Sequence, residues 1–273
     1  MAAIALAGGA TAPPATSPAA LAGALALALS PVLLAQRAGL DPLDAWQVAA
    51  LRSTSPRALW DIARQGGKSS IASVLAVHRV LYAPGSLVLL ISPSERQSKE
   101  IFRKAMDVYA ATGRAVPAAS ETKLWLELAN GSRLIALPGS EPTTRGFSAP
   151  ALIVVDEASR VPDELFEALV PMLAVSRGRM VTLSTPAGRR GWWHRLWDEG
   201  GPDWEKVLVR ADQLPRIDPA WLRAQRASMP DAWFRQEFCG EFLEVDDAAF
   251  RYDDVHGALD PSVRPLFPLE EFP

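Results

Sequence analysis

Short, nearly continuous apolar runs recur along the chain at residues 58–62, 86–92, 151–155 and 179–184, each bounded by proline, glycine or polar positions. Runs of this kind are expected of strands buried on both faces. Between them the apolar positions return at helical spacing. Ile71, Val74, Leu75 and Val77, with His78, form one such face, and residues 93–109 form another, with Arg96, Lys99, Arg103 and Lys104 on the opposite side. A third helix is expected from residue 41, with Pro42 near its first turn and Trp46, Ala49 and Ala50 on one face. Residues 125–128 and 133–137 flank Asn130-Gly131, the strongest short-range hairpin signal. Residues 143–147 read as a turn. Alternation of buried strands with helices predicts an α/β fold, a three-layer sandwich around a mainly parallel sheet.

The ends read differently from the middle. Residues 1–40 are expected to form an Ala/Pro-rich leader and an N-terminal helix, residues 41–245 one globular domain, and residues 246–273 an acidic, proline-rich linker. The apolar stretch 19–34 has no basic residue before Arg37 and contains Gly23 and Pro31, so neither a secretory signal nor a membrane span is expected.

Composition narrows the chemistry. With 273 residues, a net charge of −3 and a pI near 5.7, the chain exerts no global attraction on nucleic acid. Any such contact must come from a local basic surface, as around Arg189, Arg190 and Arg195 beside Trp192 and Trp193. The many tryptophans, Trp204, Trp221 and Trp233 among them, are expected mainly to serve packing. Cys239 is alone, which excludes an internal disulfide and suits a reducing cytosol; His78, His194 and His256 have no ligand-like spacing.

The run 58–62 enters Ala63-Arg64-Gln65-Gly66-Gly67-Lys68-Ser69-Ser70 and a helix follows: strand, phosphate loop, helix. Main-chain N–H groups of such a loop can cradle phosphate, Lys68 can reach the β/γ-phosphates of ATP, and the Ser69 hydroxyl can ligate Mg²⁺. Ile62 stands where the usual motif has its first glycine, and taken alone Gly67-Lys68-Ser69 is also compatible with an ordinary surface turn. The run 151–155 ends in Asp156-Glu157, carboxylates where open α/β sheets bind ligands. Asp156 can hold Mg²⁺ and Glu157 can orient or deprotonate the attacking water. The run 179–184 closes on Ser184, Thr185 and Pro186, whose hydroxyls can sense the γ-phosphate. Gln47, ahead of the loop, can donate and accept and so suits the edge of adenine. The ordered set predicts a P-loop NTPase of the RecA-like, ASCE type.

In order and spacing the chain resembles the ATPase domain of the large terminase subunit, which packages DNA in tailed viruses. The resemblance covers roughly residues 40–255 and rests on Asp44 to Gln47, Ala63 to Ser69, Ser92-Pro93 with Gln97-Ser98, Asn130 to Arg133, Thr144-Arg145-Gly146, Val155 to Ala158 and Leu183 to Pro186. That family often lacks the first loop glycine. The resemblance implies that Lys68 and Ser69 bind phosphate and Mg²⁺, with Gln65, Gly66, Gly67 and Ser70 in the same loop, and that Gln47 reads adenine. Asp156 would be the Walker B acid and Glu157 the catalytic glutamate. Arg64 would act in cis and Arg145 in trans, the choice of arginine finger staying open. Ser184, Thr185 and Pro186 would couple hydrolysis to DNA movement.

Implied partners are double-stranded DNA, a portal protein, a small terminase subunit and further copies of the chain. The implied location is the host cytoplasm, docked transiently on a procapsid. The family's usual nuclease domain has no counterpart here, and Asp246, Asp247, Asp253 and Asp254 lie in linker-like text, so DNA cleavage is not expected. Two rivals stay open: a helicase-type ATPase, which would need a second RecA-like domain, and a degenerate nucleotide-binding assembly factor that does not hydrolyse.

Overall fold

The computed structural model of the chain describes residues 17–139, 146–244, 254, 257 and 258. Arg145, most of the turn at 143–147, most of the linker at 246–273 and residues 1–16 of the leader lie outside the described residues.

Eight strands form one sheet: β1 (Arg57–Ile62), β2 (Leu87–Ser92), β3 (Ala118–Glu121), β4 (Trp125–Leu128), β5 (Arg133–Pro138), β6 (Leu152–Asp156), β7 (Arg179–Ser184) and β8 (Glu205–Val209). Their spatial order is β3-β4-β5-β2-β6-β7-β1-β8. From β5 to β8 every pairing is parallel, while β3 and β4 add an antiparallel edge. The Val/Ile/Leu-rich text of β2 and β6 fits this: each is buried at every position, as strands covered on both faces must be. β3 and β8 were not legible in the sequence, because both are half-exposed edge strands without an apolar run.

On one face lie α2 (Pro31–Arg37), α3 (Ala45–Arg52), α4 (Lys68–Tyr82) and α5 (Glu95–Ala111), whose apolar sides meet Trp60, Ile62, Leu90 and Val154. The other face carries α6 (Asp163–Leu169), α7 (Leu173–Ser176) and α8 (Gly191–Glu199), packed on Leu59, Leu89, Ile91 and Val155. Two short helices, α9 (Pro219–Ser228) and α10 (Asp231–Cys239), follow β8. A buried Ile or Leu contributes roughly 1.5–3 kcal/mol, so the two apolar layers hold the strands in fixed register.

Three expectations change in detail. The helix expected from residue 41 begins at Ala45, with Asp44 as its cap and Pro42 outside it, because Gln47 accepts from the Asp44 N–H at 3.0 Å and closes a capping box. The stretch 19–34 forms α1 (Pro18–Leu29), which buries no residue, and α2, bent from it by 111°. Among the described residues no single helix is long and apolar enough to cross a membrane; only this bent pair has the length and composition. Trp192 and Trp193 are core residues as expected, but Trp221 and Trp233 are 45% and 56% exposed.

The Asn130-Gly131 turn joins β4 and β5 antiparallel, and it also finishes α4. Asn130 Nδ2 donates to the Val80 carbonyl at 2.9 Å, and Ser132 Oγ donates to that of Ala83 at 3.2 Å. That motif therefore closes a helix end at the opposite edge from the phosphate loop.

Candidate nucleotide site

The parallel register brings three strand ends together. Asp156 pairs with Leu183, and Asp61 pairs with Ser184, so β7 lies between the strand that enters the phosphate loop and the strand that ends in the two carboxylates. Ligand-binding crevices of open α/β sheets form at such carboxyl ends.

The loop is shaped by its floor. Ile62 is fully buried as the last residue of β1, and a Cβ on Gly66 would lie 2.5 Å from its Cγ2. A side chain at position 62 is thus part of the core rather than of the cradle, which is why the usual first glycine is dispensable here. The chain turns through Gln65 (φ 63°) and Gly67 (φ 83°). A Cβ on Gly67 would also approach Gln47 Nε2 at 2.9 Å. The Ala63 N–H donates to the Val209 carbonyl at 2.9 Å, and the Arg64 N–H donates to that of Glu237 at 3.2 Å, so both edges of the loop are tied to neighbours.

Around it lies a cleft of about 630 Å³ lined by the loop residues 64–70, Gln97, Lys104, Glu157, Arg160 and Arg216. Lys68, only 10% exposed, places Nζ 3.9 Å from Glu157 Oε1. Ser69 Oγ donates toward the Asp156 carboxylate, 3.2 and 3.1 Å from its oxygens. A hydroxyl and a carboxylate converging on one point are hard oxygen donors of the kind Mg²⁺ takes while keeping most of its waters. Burial, then the neighbouring Glu157 charge, push the Asp156 carboxyl up to about 6, while Lys68 and the Ser69 bond pull the other way. Glu157 itself sits in the left-handed region (φ 51°), its Oε2 2.8 Å from Arg160 NH1. Lys104 is the one basic residue of α5 in this cleft. Lys99 and Arg103 pair instead with Glu95, Glu100 and Asp107 on the helix surface.

Gln47 is buried under the loop. Its Oε1 accepts from the Asp44 N–H and its Nε2 donates to the Gly66 carbonyl at 3.2 Å, so both ends of the amide are engaged by main chain. Beside it a second cleft of about 480 Å³ is bounded by Gly39, Asp44, Ser70 and Arg216.

Glu237 was not singled out from the sequence. Its carboxylate is 5% exposed and forms ion pairs with Arg64 and, at 3.8 Å, with Arg160; Thr185 Oγ1 lies 3.5 Å from it. Ser184 Oγ stands 2.7 Å from Ser159 Oγ, which donates to the Thr185 carbonyl at 2.8 Å, and Pro186 is buried just beyond. Loop, carboxylate turn and β7 tip therefore share one polar network through Glu237. A signal existed: Glu237 stands on the apolar face of α10 between Phe234 and Phe238, where a carboxylate needs a reason. Asp61 carried the same kind of signal, an acid inside a buried strand.

The family described as "Terminase large subunit, T4likevirus-type, N-terminal" matches residues 61–256. The "Terminase, large subunit" of Thermus virus P23-45 is 28% identical over 240 positions, which cover 75% of this chain and 49% of the relative. The chain thus spans about half the length of the curated relatives it matches. Among solved structures, the large terminase ATPase domain of Thermus phage P74-26 superposes with a TM-score of 0.68 at 25% identity, covering 78% of this chain and 99% of that one. The large terminase of another thermophilic bacteriophage, solved in complex with ADP, matches at a TM-score of 0.60 and 11% identity over 73% of this chain and 54% of that one, a likeness of fold.

Proposed function

We propose, from the premise that this chain belongs to the T4-like-virus type of terminase large subunits, in their N-terminal part, that it is an ATP-hydrolysing motor domain. In this reading hydrolysis drives double-stranded DNA into a procapsid, together with a portal protein, a small terminase subunit and neighbouring copies of the chain. The observation that carries the reading is the convergence of Lys68, Ser69 and Glu157 on one cleft, with Asp156 behind Ser69.

Each residue then has a task. The loop N–H groups and Lys68 bind the phosphates, and Ser69 with Asp156 would hold Mg²⁺, which would supply neutralisation of phosphate charge. Glu157 orients the attacking water and takes its proton. It is held between Lys68 and Arg160, so an incoming phosphate that engages Lys68 leaves its Oε1 free to turn toward that water. Arg64 reaches the γ-phosphate only on leaving Glu237. Arg145 is the candidate to act on a neighbouring copy. Ser184, Thr185 and Pro186 pass the change at the phosphate to the rest of the chain. Gln47 meets the adenine from the cleft beside the loop and exchanges one main-chain partner for it.

Steady-state ATP hydrolysis tests the assignment. Glu157→Gln is expected to lower kcat at least about a hundredfold, the lower range for losing a general base. Hydrolysis unchanged in that variant would refute it.

A further inference from the structure

The geometry points to a second anion site: the arginine-lined cavity at the amino-terminal edge of the sheet binds a phosphate oxyanion. The cavity has a volume of about 650 Å³ and lies between the ends of α3 and α4, the joint of α1 and α2, and the start of β7. It is at the opposite edge of the sheet from the phosphate loop.

Four arginines line it, Arg52, Arg79, Arg177 and Arg179, together with His78. The Nε and NH2 groups of Arg179 are buried without a hydrogen-bond partner; His78, whose pKa burial lowers, faces the main chain of Ala28 and Leu27 and adds no charge. None of the four arginines forms an ion pair with a described carboxylate. The charged groups that act on Arg179 are Glu205, which favours its cation, and Arg79, which opposes it. Glu205 also accepts a hydrogen bond from the Ser53 hydroxyl, which leaves its charge in place, and it is one acid against four arginines.

Of the basic groups beside Trp192 and Trp193, Arg195 pairs with Asp163 and Arg189 with Glu244. Arg52 and Arg79 lie in the last turns of their helices, where a cation offsets the helix dipole. That does not account for Arg179, which starts a strand. A guanidinium buried with free N–H groups is costly unless an acceptor answers it, and its planar fork matches phosphate oxygens. The positive groups converge from several elements on one cavity, so the ligand is a phosphate, from a free phosphate compound or from a DNA backbone. This inference is independent of the nucleotide reading.

The test is calorimetric titration of inorganic pyrophosphate into the full chain carrying Lys68→Ala, which removes the loop's own phosphate binding. One site is expected to remain. Its affinity should fall at least about tenfold when Arg179→Gln is added, the loss of a hydrogen bond to a charged group. Arg177→Gln should lower it in the same direction; Arg177 is exposed, so this variant keeps the test valid should Arg179→Gln fail to fold. A duplex of about 20 base pairs then separates the two sources. Displacement of pyrophosphate, with the duplex's salt slope reduced by about 1 per arginine removed, identifies a DNA backbone. Pyrophosphate binding that the duplex leaves unchanged identifies a free phosphate compound. Absence of binding in Lys68→Ala, or binding that both arginine variants leave unaltered, overturns the inference.

Discussion

Asp61→Asn should make the protein more stable in mildly alkaline solution and abolish much of its pH dependence. Asp61 is fully buried near the end of β1, both its oxygens lack a hydrogen-bond partner, and a Cβ on Gly240 would come within 3.1 Å of Oδ2. Burial raises its carboxyl from the ordinary 3.8 to about 8, with the positive charge of Lys68 opposing the rise. The folded state therefore keeps this proton while the unfolded chain releases it above about pH 4. Stability is full below that point, declines as pH rises toward 8, and is level beyond. At about 1.4 kcal/mol per pH unit, the interval of roughly four units corresponds to an upper value of about 6 kcal/mol. Asparagine has nearly the same shape and cannot ionise, so the variant lacks this slope. Urea unfolding followed by tryptophan fluorescence, from about pH 4 to about pH 8.5, should show the variant similar to the parent at the acid end and several kcal/mol more stable at the alkaline end. Asp156, shared by both proteins, cancels in the difference. Parallel stability curves for the two proteins would refute a neutral Asp61.

Other substitutions probe the surroundings of the loop. Gly240→Ala should destabilise by about 1–3 kcal/mol in thermal unfolding, since position 240 has φ 71° and its Cβ would meet Leu208 Cδ1 at 2.5 Å. Gln47→Ala should cost about 1 kcal/mol of stability by freeing the Gly66 carbonyl and the Asp44 N–H, and should weaken nucleotide binding measured by titration. Glu237→Gln should lower stability by about 1–3 kcal/mol yet tighten nucleotide binding, because Arg64 no longer has its carboxylate partner; weaker binding in that variant would show that Glu237 shapes the loop instead of competing for Arg64.

The parallel core of the sheet was legible because strands buried on both faces leave continuous apolar runs, as in β2 and β6. The loop, the Asp156-Glu157 pair and the β7 tip were legible because each is contiguous in sequence at a strand end. What was hidden is long-range. Glu237 meets Arg64 across 173 positions, and nothing near either residue announces the other. Arg160 was missed although it lies one helical turn beyond Glu157. The start of α3 was misplaced because Pro42 resembles a first-turn proline, whereas the Asp44–Gln47 capping box decides the helix start. Edge strands β3 and β8 are specified by neighbours more than by their own text.

The position of β7 has a consequence for how this molecule can move. The proposed phosphate loop follows β1 and the Asp156-Glu157 carboxylates end β6, with β7 locked between them by parallel pairing on each side. The spacing of the two strand ends across the candidate cleft is therefore set by the pairing of the sheet. The rim holds the Arg64 side chain, 57% exposed, and the short helix that carries Glu237. Any stroke the chain delivers would originate in that rim, as a small rotation of α10 against a rigid frame, with its amplitude set by how far one guanidinium has to travel between two anions.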